Sequence, residues 1–343
     1  MNPITDKLSR PLHDLRISVI DRCNFRCPYC MPTEKEGTHY SFLKQDEWLT
    51  FPEIVRLTRL LVELGVRKVR LTGGEPLLRP GIVDLVKNLS AIAGIEDLAL
   101  TTNGSALSKF AAPLKAAGLQ RLTVSLDSLD ARVFKHMSGG KGSLHEVLAG
   151  IEEAQRIGFG SIKINVVVQK SVNDNSIVDL VSHFKNSPHV LRLIEYMDVG
   201  NCNHWESKYV VSSKEIIRLI SQQHALEPLP SNYFGEVAER YRFKDGGGEI
   251  GFISSISQPF CQSCTRLRLA NDGKLYTCLF ATQGADIKKL VRQGANDQDL
   301  SSALKAVWAK RQDRYSQERS EIHSNLPKQK VSNPKIEMFQ IGG

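Results

Sequence analysis

Apolar residues alternate between two spacings along the first two-thirds of this chain. Short runs rich in aliphatic and β-branched side chains occupy residues 15–20, 67–71, 97–101, 121–126, 161–168 and 190–197. Between them, at 52–64, 81–90, 106–117, 144–157 and 175–184, lie amphipathic stretches. In the first of these, Ile54, Leu57, Leu61 and Leu64 return at helical spacing, the mark of a helix that covers a core. Repeated strand–helix units of this length predict a parallel sheet, either open and doubly wound or curved into a barrel. Six units close a barrel only in part and leave a lateral mouth beside the first and last strands.

Functional groups in such folds sit at the C-terminal ends of the strands. The loops there carry Cys23, Cys27 and Cys30 after the first run, and Gly73-Gly74-Glu75-Pro76 after the second. Thr102-Asn103-Gly104 follows the third, Asp127 the fourth and Met197-Asp198 the sixth. Five such loops at one rim predict a single site. A further helix is predicted near 212–221. Beyond it the texture changes, with Pro228, Pro230, the run Gly246-Gly247-Gly248 and a β-like run at 251–255. The boundary is placed near Ala225, giving one domain over 1–225, a second over 226–325 and a tail over 326–343. Polar, charged residues from 310 to 335 predict an extended surface segment.

The 343 residues suffice for a large core, and 41% hydrophobic with 24% charged content is ordinary for a globular protein. No apolar run reaches membrane-spanning length, and the first residues resemble neither a signal nor a transit peptide, so a cytoplasmic location is the expectation. A net charge of +8 points to an anionic partner, with a solvated basic surface as the plainer account.

Six of the seven cysteines form two tight groups, which in a long cytosolic chain reads as metal chemistry instead of disulfides. Cys202 stands apart between two asparagines and reads as a spare thiol. Cys23-x3-Cys27-x2-Cys30 offers three thiolates to a four-iron cube and leaves one iron open to a small molecule. The competing reading is structural zinc, completed by His39. Cys261-x2-Cys264-x13-Cys278 is a second set of three, without the second pair that a zinc ribbon requires, although zinc completed by Cys202 or a histidine stays open. Between these cysteines, Arg266 and Arg268 share one face of a strand candidate, with Leu267 and Leu269 on the other. Paired guanidiniums suit a phosphate chain; charged residues on a solvated edge strand are the alternative. Arg16, Arg70 and Lys163 also interrupt strand runs, and cations converging inside a barrel need a strongly negative ligand, such as a triphosphate, to offset their desolvation.

The first cysteine motif with Tyr29 inside it, together with Gly73-Gly74-Glu75-Pro76, resembles the radical S-adenosylmethionine superfamily. The second triplet with its enclosed arginines, and the terminal Gly342-Gly343, narrow the resemblance to the GTP 3′,8-cyclase family, lyases that open molybdenum cofactor biosynthesis. It runs nearly end to end; Ile20 stands where the family more often has threonine. This resemblance implies an α/β fold, a partial (βα)6 TIM-type barrel with a C-terminal α+β domain covering the lateral opening. It implies two [4Fe–4S] clusters, on Cys23, Cys27 and Cys30 and on Cys261, Cys264 and Cys278. S-adenosylmethionine would meet Tyr29, Gly74, Ser125 and Met197. GTP would meet Arg16, Arg70, Thr101, Lys163, Arg266, Leu267 and Arg268, with Arg16, Gly342 and Gly343 near the reacting ribose. The implied reaction takes the C3′ hydrogen of GTP with a 5′-deoxyadenosyl radical and joins C3′ to C8, giving 3′,8-cyclo-7,8-dihydro-GTP. Implied partners are an electron donor, the downstream cyclic pyranopterin monophosphate synthase and a second copy in a homodimer, with neither nucleic acid nor membrane. A peptide-modifying enzyme of the same superfamily would usually carry more C-terminal cysteines. A non-catalytic, basic zinc protein that binds nucleic acid would need four-ligand sites and aromatic-interleaved basic surface, and neither is evident.

Overall fold

The computed structural model describes residues 3–34, 40–319 and 334–343. His39 and residues 326–333 of the predicted tail lie outside these. Six parallel strands form the centre of one sheet: β1 (Asp14–Ser18), β2 (Lys68–Thr72), β3 (Asp97–Thr102), β4 (Arg121–Ser125), β5 (Lys163–Val168) and β6 (Val190–Glu195). Each falls within two residues of its predicted bounds. Helices link them, and the first, α1 (Phe51–Glu63), shows why the pattern was readable. Thr50 accepts the Glu53 amide while Glu53 reaches back to the Thr50 amide, so both ends of a capping box fix its start. Ile54, Leu57 and Leu61 then face the core, each at most 1% exposed.

The C-terminal residues rejoin this same sheet at both edges. After the hairpin β7 (Leu226–Leu229) and β8 (Glu239–Phe243), β9 (Glu249–Ile253) pairs parallel with β6. At the other edge β10 (Arg266–Leu269) pairs parallel with β1, followed by the antiparallel β11 (Lys274–Tyr276) and β12 (Ala285–Asp286). The order is β12-β11-β10-β1-β2-β3-β4-β5-β6-β9-β8-β7. Side chains from strands as far apart in this order as β10 and β9 line one cavity, which requires the sheet to curl into a partial barrel.

The two faces of each strand have opposite characters. Leu15, Ile17, Val69, Leu71, Leu122, Ile164, Leu267 and Leu269 lie against the surrounding helices, at most 1% exposed. The alternate positions, Arg16, Arg70, Arg121, Asn165, Arg192, Arg266 and Arg268, point into the barrel. The register sets Arg16 beside both Arg70 and Arg268.

The expected surface segment from residue 310 is corrected over its described part. Arg311 and Arg319 are buried at 4% and 7% exposure, because Arg311 pairs with the buried Asp6 and Arg319 with the buried Asp198. Their polarity serves internal ion pairs. The helices Ile287–Arg292 and Asp297–Ala309 and the helical residues 315–319 were not foreseen.

Candidate active site

The loop after β1 carries Cys23, Cys27 and Cys30. It is held by the second rim loop: the Gly74 amide donates to Ile20 O (2.7 Å) and the Glu75 amide to Arg22 O (2.8 Å). A side chain on Gly74 would collide with the Arg22 carbonyl and the Cys23 amide nitrogen, and one on Gly73 with the Ile20 carbonyl. The paired glycines therefore let two backbones touch beneath the cysteines. Glu75 is fully enclosed and accepts from the Leu77 and Asn103 amides and the Thr102 hydroxyl. Burial still raises its carboxyl to about 7.

Burial likewise raises the Cys23 thiol to about 11, helped by the Glu75 charge, and it raises Cys27 and Cys30 further, aided by Asp127 at Cys27 and by the neighbouring thiols. All seven cysteines are free thiols. No three histidine, cysteine or acidic side chains among the described residues are placed to hold a single metal ion. Each triplet offers three soft thiolates, the donor set that a cubane takes one to an iron.

The residues expected at S-adenosylmethionine surround this loop. Tyr29 gives its hydroxyl to Asp127 (2.7 Å), two residues beyond Ser125 at the end of β4. Asn203 Nδ2 donates to the main-chain oxygens of Tyr29 (3.5 Å) and Met197 (3.4 Å), tying the triplet to the loop after β6. Cys202 also lies here, donating to Glu337 (2.9 Å) and the Cys30 carbonyl (3.5 Å).

Met197 then opens onto the large cavity, together with Gly343, Cys261, Cys264, Cys278, Arg16, Arg70, Thr101, Arg266 and Arg268. The second triplet stands at the N-terminal end of β10 and the first at the C-terminal end of β1. Five residues of strand separate those ends, on the order of 15 Å. The rim rule thus located the first triplet but not the second.

The cavity wall is strongly positive. Burial, then the charges of Arg268, Arg266 and Arg70, hold the Arg16 guanidinium well below its ordinary value. Burial and neighbouring cations bring Arg70 and Arg268 to about 10. Lys163 is not among the residues that line the cavity, but it neighbours Arg192, Arg121 and Arg70, and burial and those charges bring it down to about 6. Only part of this is offset internally: Arg121 pairs with Asp97, and Arg70 binds the hydroxyls of Thr101 (3.0 Å) and Thr123 (2.9 Å). Leu267, by contrast, turns its side chain into the core. Leu267 is not among the residues that line the cavity, unlike Arg266 and Arg268 on either side of it.

Arg10, Lys68, Arg121, Arg192 and Arg311 also line the cavity and were missed. Lys68, Arg121 and Arg192 carried the signal used for Arg16, a cation inside a strand. Arg10 and Arg311 lie outside strands and carried none. Arg311 reaches Cys264 Sγ (3.1 Å), as does Arg266 (3.4 Å). Burial would raise the Cys264 thiol, but these guanidiniums outweigh it and bring it to about 6.

The tail closes the cavity beside β1. Gly342 adopts φ 73°, its carbonyl accepts from Arg268, and a side chain there would strike Thr72. Upstream, Lys335 binds Asp198 (2.8 Å) and Glu337 binds the Asn201 amide (3.0 Å).

A partial parallel barrel with a cysteine triplet on the loop after β1 defines a radical S-adenosylmethionine enzyme. Residues 17–184 match the Radical SAM superfamily and residues 189–317 match Molybdenum Cofactor Synthesis C. Streptococcus suis SuiB bound to S-adenosylmethionine shares the fold, with a TM-score of 0.55 and 16% identity over 87% of this chain and 68% of that one. More specifically, the chain belongs to the GTP 3′,8-cyclase family. A GTP 3′,8-cyclase of Xanthomonas campestris pv. campestris (strain B100) is 50% identical over 99% of this chain and 98% of its own. Relatives of the same name from Acidothermus cellulolyticus and Staphylococcus epidermidis are each 47% identical over 99% of both chains. No helix among the described residues is long and apolar enough to cross a membrane.

Proposed function

We propose that the cavity converts GTP to 3′,8-cyclo-7,8-dihydro-GTP, the first step of molybdenum cofactor biosynthesis. The observation that carries this is one cavity lined together by the second cysteine triplet, the cationic strand positions, Met197 and the terminal glycine. Cys23, Cys27 and Cys30 would hold a [4Fe–4S] cluster, with S-adenosylmethionine seated by Tyr29, Gly74, Ser125 and Met197. When bound, this pair supplies the 5′-deoxyadenosyl radical that takes the C3′ hydrogen.

The chain's own residues contribute binding, orientation and exclusion of water. Arg16, Arg70, Lys163, Arg266 and Arg268 take the triphosphate, whose charge relieves their mutual repulsion. Thr101 holds the Arg70 fork in place. Cys261, Cys264 and Cys278 would carry a second [4Fe–4S] cluster whose open iron meets the guanine. A purine held there, at the N-terminal end of β10, would leave the ribose on the side of the first triplet. Gly342 and Gly343 close the space beside Arg268 and keep water from the reacting carbon. A homodimer, a one-electron donor and cyclic pyranopterin monophosphate synthase as the next enzyme complete this reading on the strength of the family resemblance. So do the domain limits 1–225 and 226–325.

Anaerobic incubation of the reconstituted protein with GTP, S-adenosylmethionine and a reductant tests the proposal. The expected result is a nucleotide of the cyclised mass, formed with 5′-deoxyadenosine. Deoxyadenosine without a changed nucleotide would overturn the substrate, and neither product would overturn the reaction.

A further inference from the structure

The sulfurs of the two triplets sit in opposite surroundings. At the first, neutral amides reach Cys23 Sγ, from Phe25 (3.3 Å) and Asn103 (3.8 Å). Arg26 is close, but its guanidinium binds the carbonyl oxygens of Cys23 (2.7 Å) and Phe25 (2.8 Å) and no sulfur. The acids facing this loop are Glu75 at Cys23, Asp127 at Cys27 and Glu337 at Cys30. At the second triplet Cys278 Sγ also accepts a neutral amide, from Phe280 (3.5 Å), but Cys264 meets cations. Arg311 Nη2 and Arg266 Nη2 lie 3.1 and 3.4 Å from Cys264 Sγ, and Arg10 Nη1 holds the Cys261 carbonyl (2.8 Å). Arg268 also faces Cys278, with Asp313 the acid on that side.

Arg311 is the residue that fixes this contrast. Its second nitrogen donates to the Cys264 carbonyl (2.6 Å), so one planar fork grips both the sulfur and the backbone of a single ligand. Asp6 pairs with it (3.5 Å) in a buried cluster that includes Arg10. Reduction adds one negative charge to a cluster. Hydrogen bonds and cations at the sulfurs stabilise that charge, and nearby carboxylates oppose it.

We propose that Arg311 is a positioning residue that raises the reduction potential of the second cluster above that of the first, so that a singly reduced protein carries its electron at Cys261, Cys264 and Cys278. The inference rests on the second cluster proposed above. It also explains the acidic setting of the first triplet, since a cluster that resists reduction is the stronger donor to a sulfonium.

The test is a redox titration of the anaerobically reconstituted full chain, without S-adenosylmethionine or GTP, followed by electron paramagnetic resonance. Two full-length variants assign the signals, one with Cys23, Cys27 and Cys30 changed to Ala and one with Cys261, Cys264 and Cys278 changed to Ala. The second cluster should reduce first, its one-electron equilibrium favoured at least about tenfold, or ~59 mV. Arg311→Gln should lower the potential of the second cluster alone, and Arg311→Lys, which keeps the charge and loses the fork, should lower it less. Equal or reversed potentials in the unaltered protein would overturn the inference, and this comparison decides the matter even where Arg311→Gln does not fold. An unmoved potential in a fully iron-loaded Arg311→Gln would overturn it too. A chain that builds no cluster on the second triplet would instead overturn the reading on which the inference stands.

Discussion

A lysine inside a parallel barrel, with three guanidiniums for neighbours, holds its proton weakly. Lys163 titrates near 6 in the free protein against 10.5 when exposed. Between those values the unfolded chain binds a proton that the folded chain does not, so its contribution to stability grows as pH rises and is fully lost below about 6. A triphosphate reverses the balance by favouring the ammonium form. GTP binding at pH 7.5 should therefore take up a proton, read as a buffer-dependent binding enthalpy. Lys163→Met should lose that uptake, and identical proton counts in both proteins would contradict the assignment. Arg266→Ala should weaken GTP binding by roughly 10- to 100-fold, the loss of a charge-assisted contact of about 1.5–3 kcal/mol, measured by equilibrium binding. Cleavage of S-adenosylmethionine should survive. Arg268→Ala should do the same and also release the tail, because Arg268 holds the Gly342 carbonyl.

At the scale of elements, two glycine positions separate loading of the first triplet from closure of the cavity by the tail. Gly74→Ala would push a methyl group into the Arg22 carbonyl under the first triplet. The variant should lose about half its iron while the second triplet stays loaded, by iron analysis and paramagnetic resonance. Gly342→Ala meets both a left-handed φ of 73° and the Thr72 side chain. It should abolish cyclised product with the iron content unchanged. The central strands were legible because each alternates a core-facing aliphatic with a cavity-facing polar residue, as in Leu15-Arg16-Ile17. Less legible was the return of β9 and β10 to the sheet edges, because nothing local distinguishes a parallel edge pairing from a strand of a separate domain. Arg311 was misread as surface for a related reason: its partners, Asp6 and Cys264, are remote in sequence.

For the whole molecule, the barrel is an electrostatic device with a reactive loop at each end. The first triplet occupies the C-terminal rim among acids, the second lies at the opposite end among guanidiniums, and cations only partly offset by Asp14 and Asp97 line the wall between. A ligand carrying several negative charges fits such a wall, and one whose apolar ring reaches the second triplet spans it. The measurement that bears most directly on this account is iron and sulfide content per reconstituted chain, in the unaltered protein and in the two triplet-to-Ala variants. The account predicts about eight irons in the former and about four in each variant, with GTP perturbing the resonance of the second triplet alone. About four irons in the unaltered protein, or zinc at the second triplet, would contradict it.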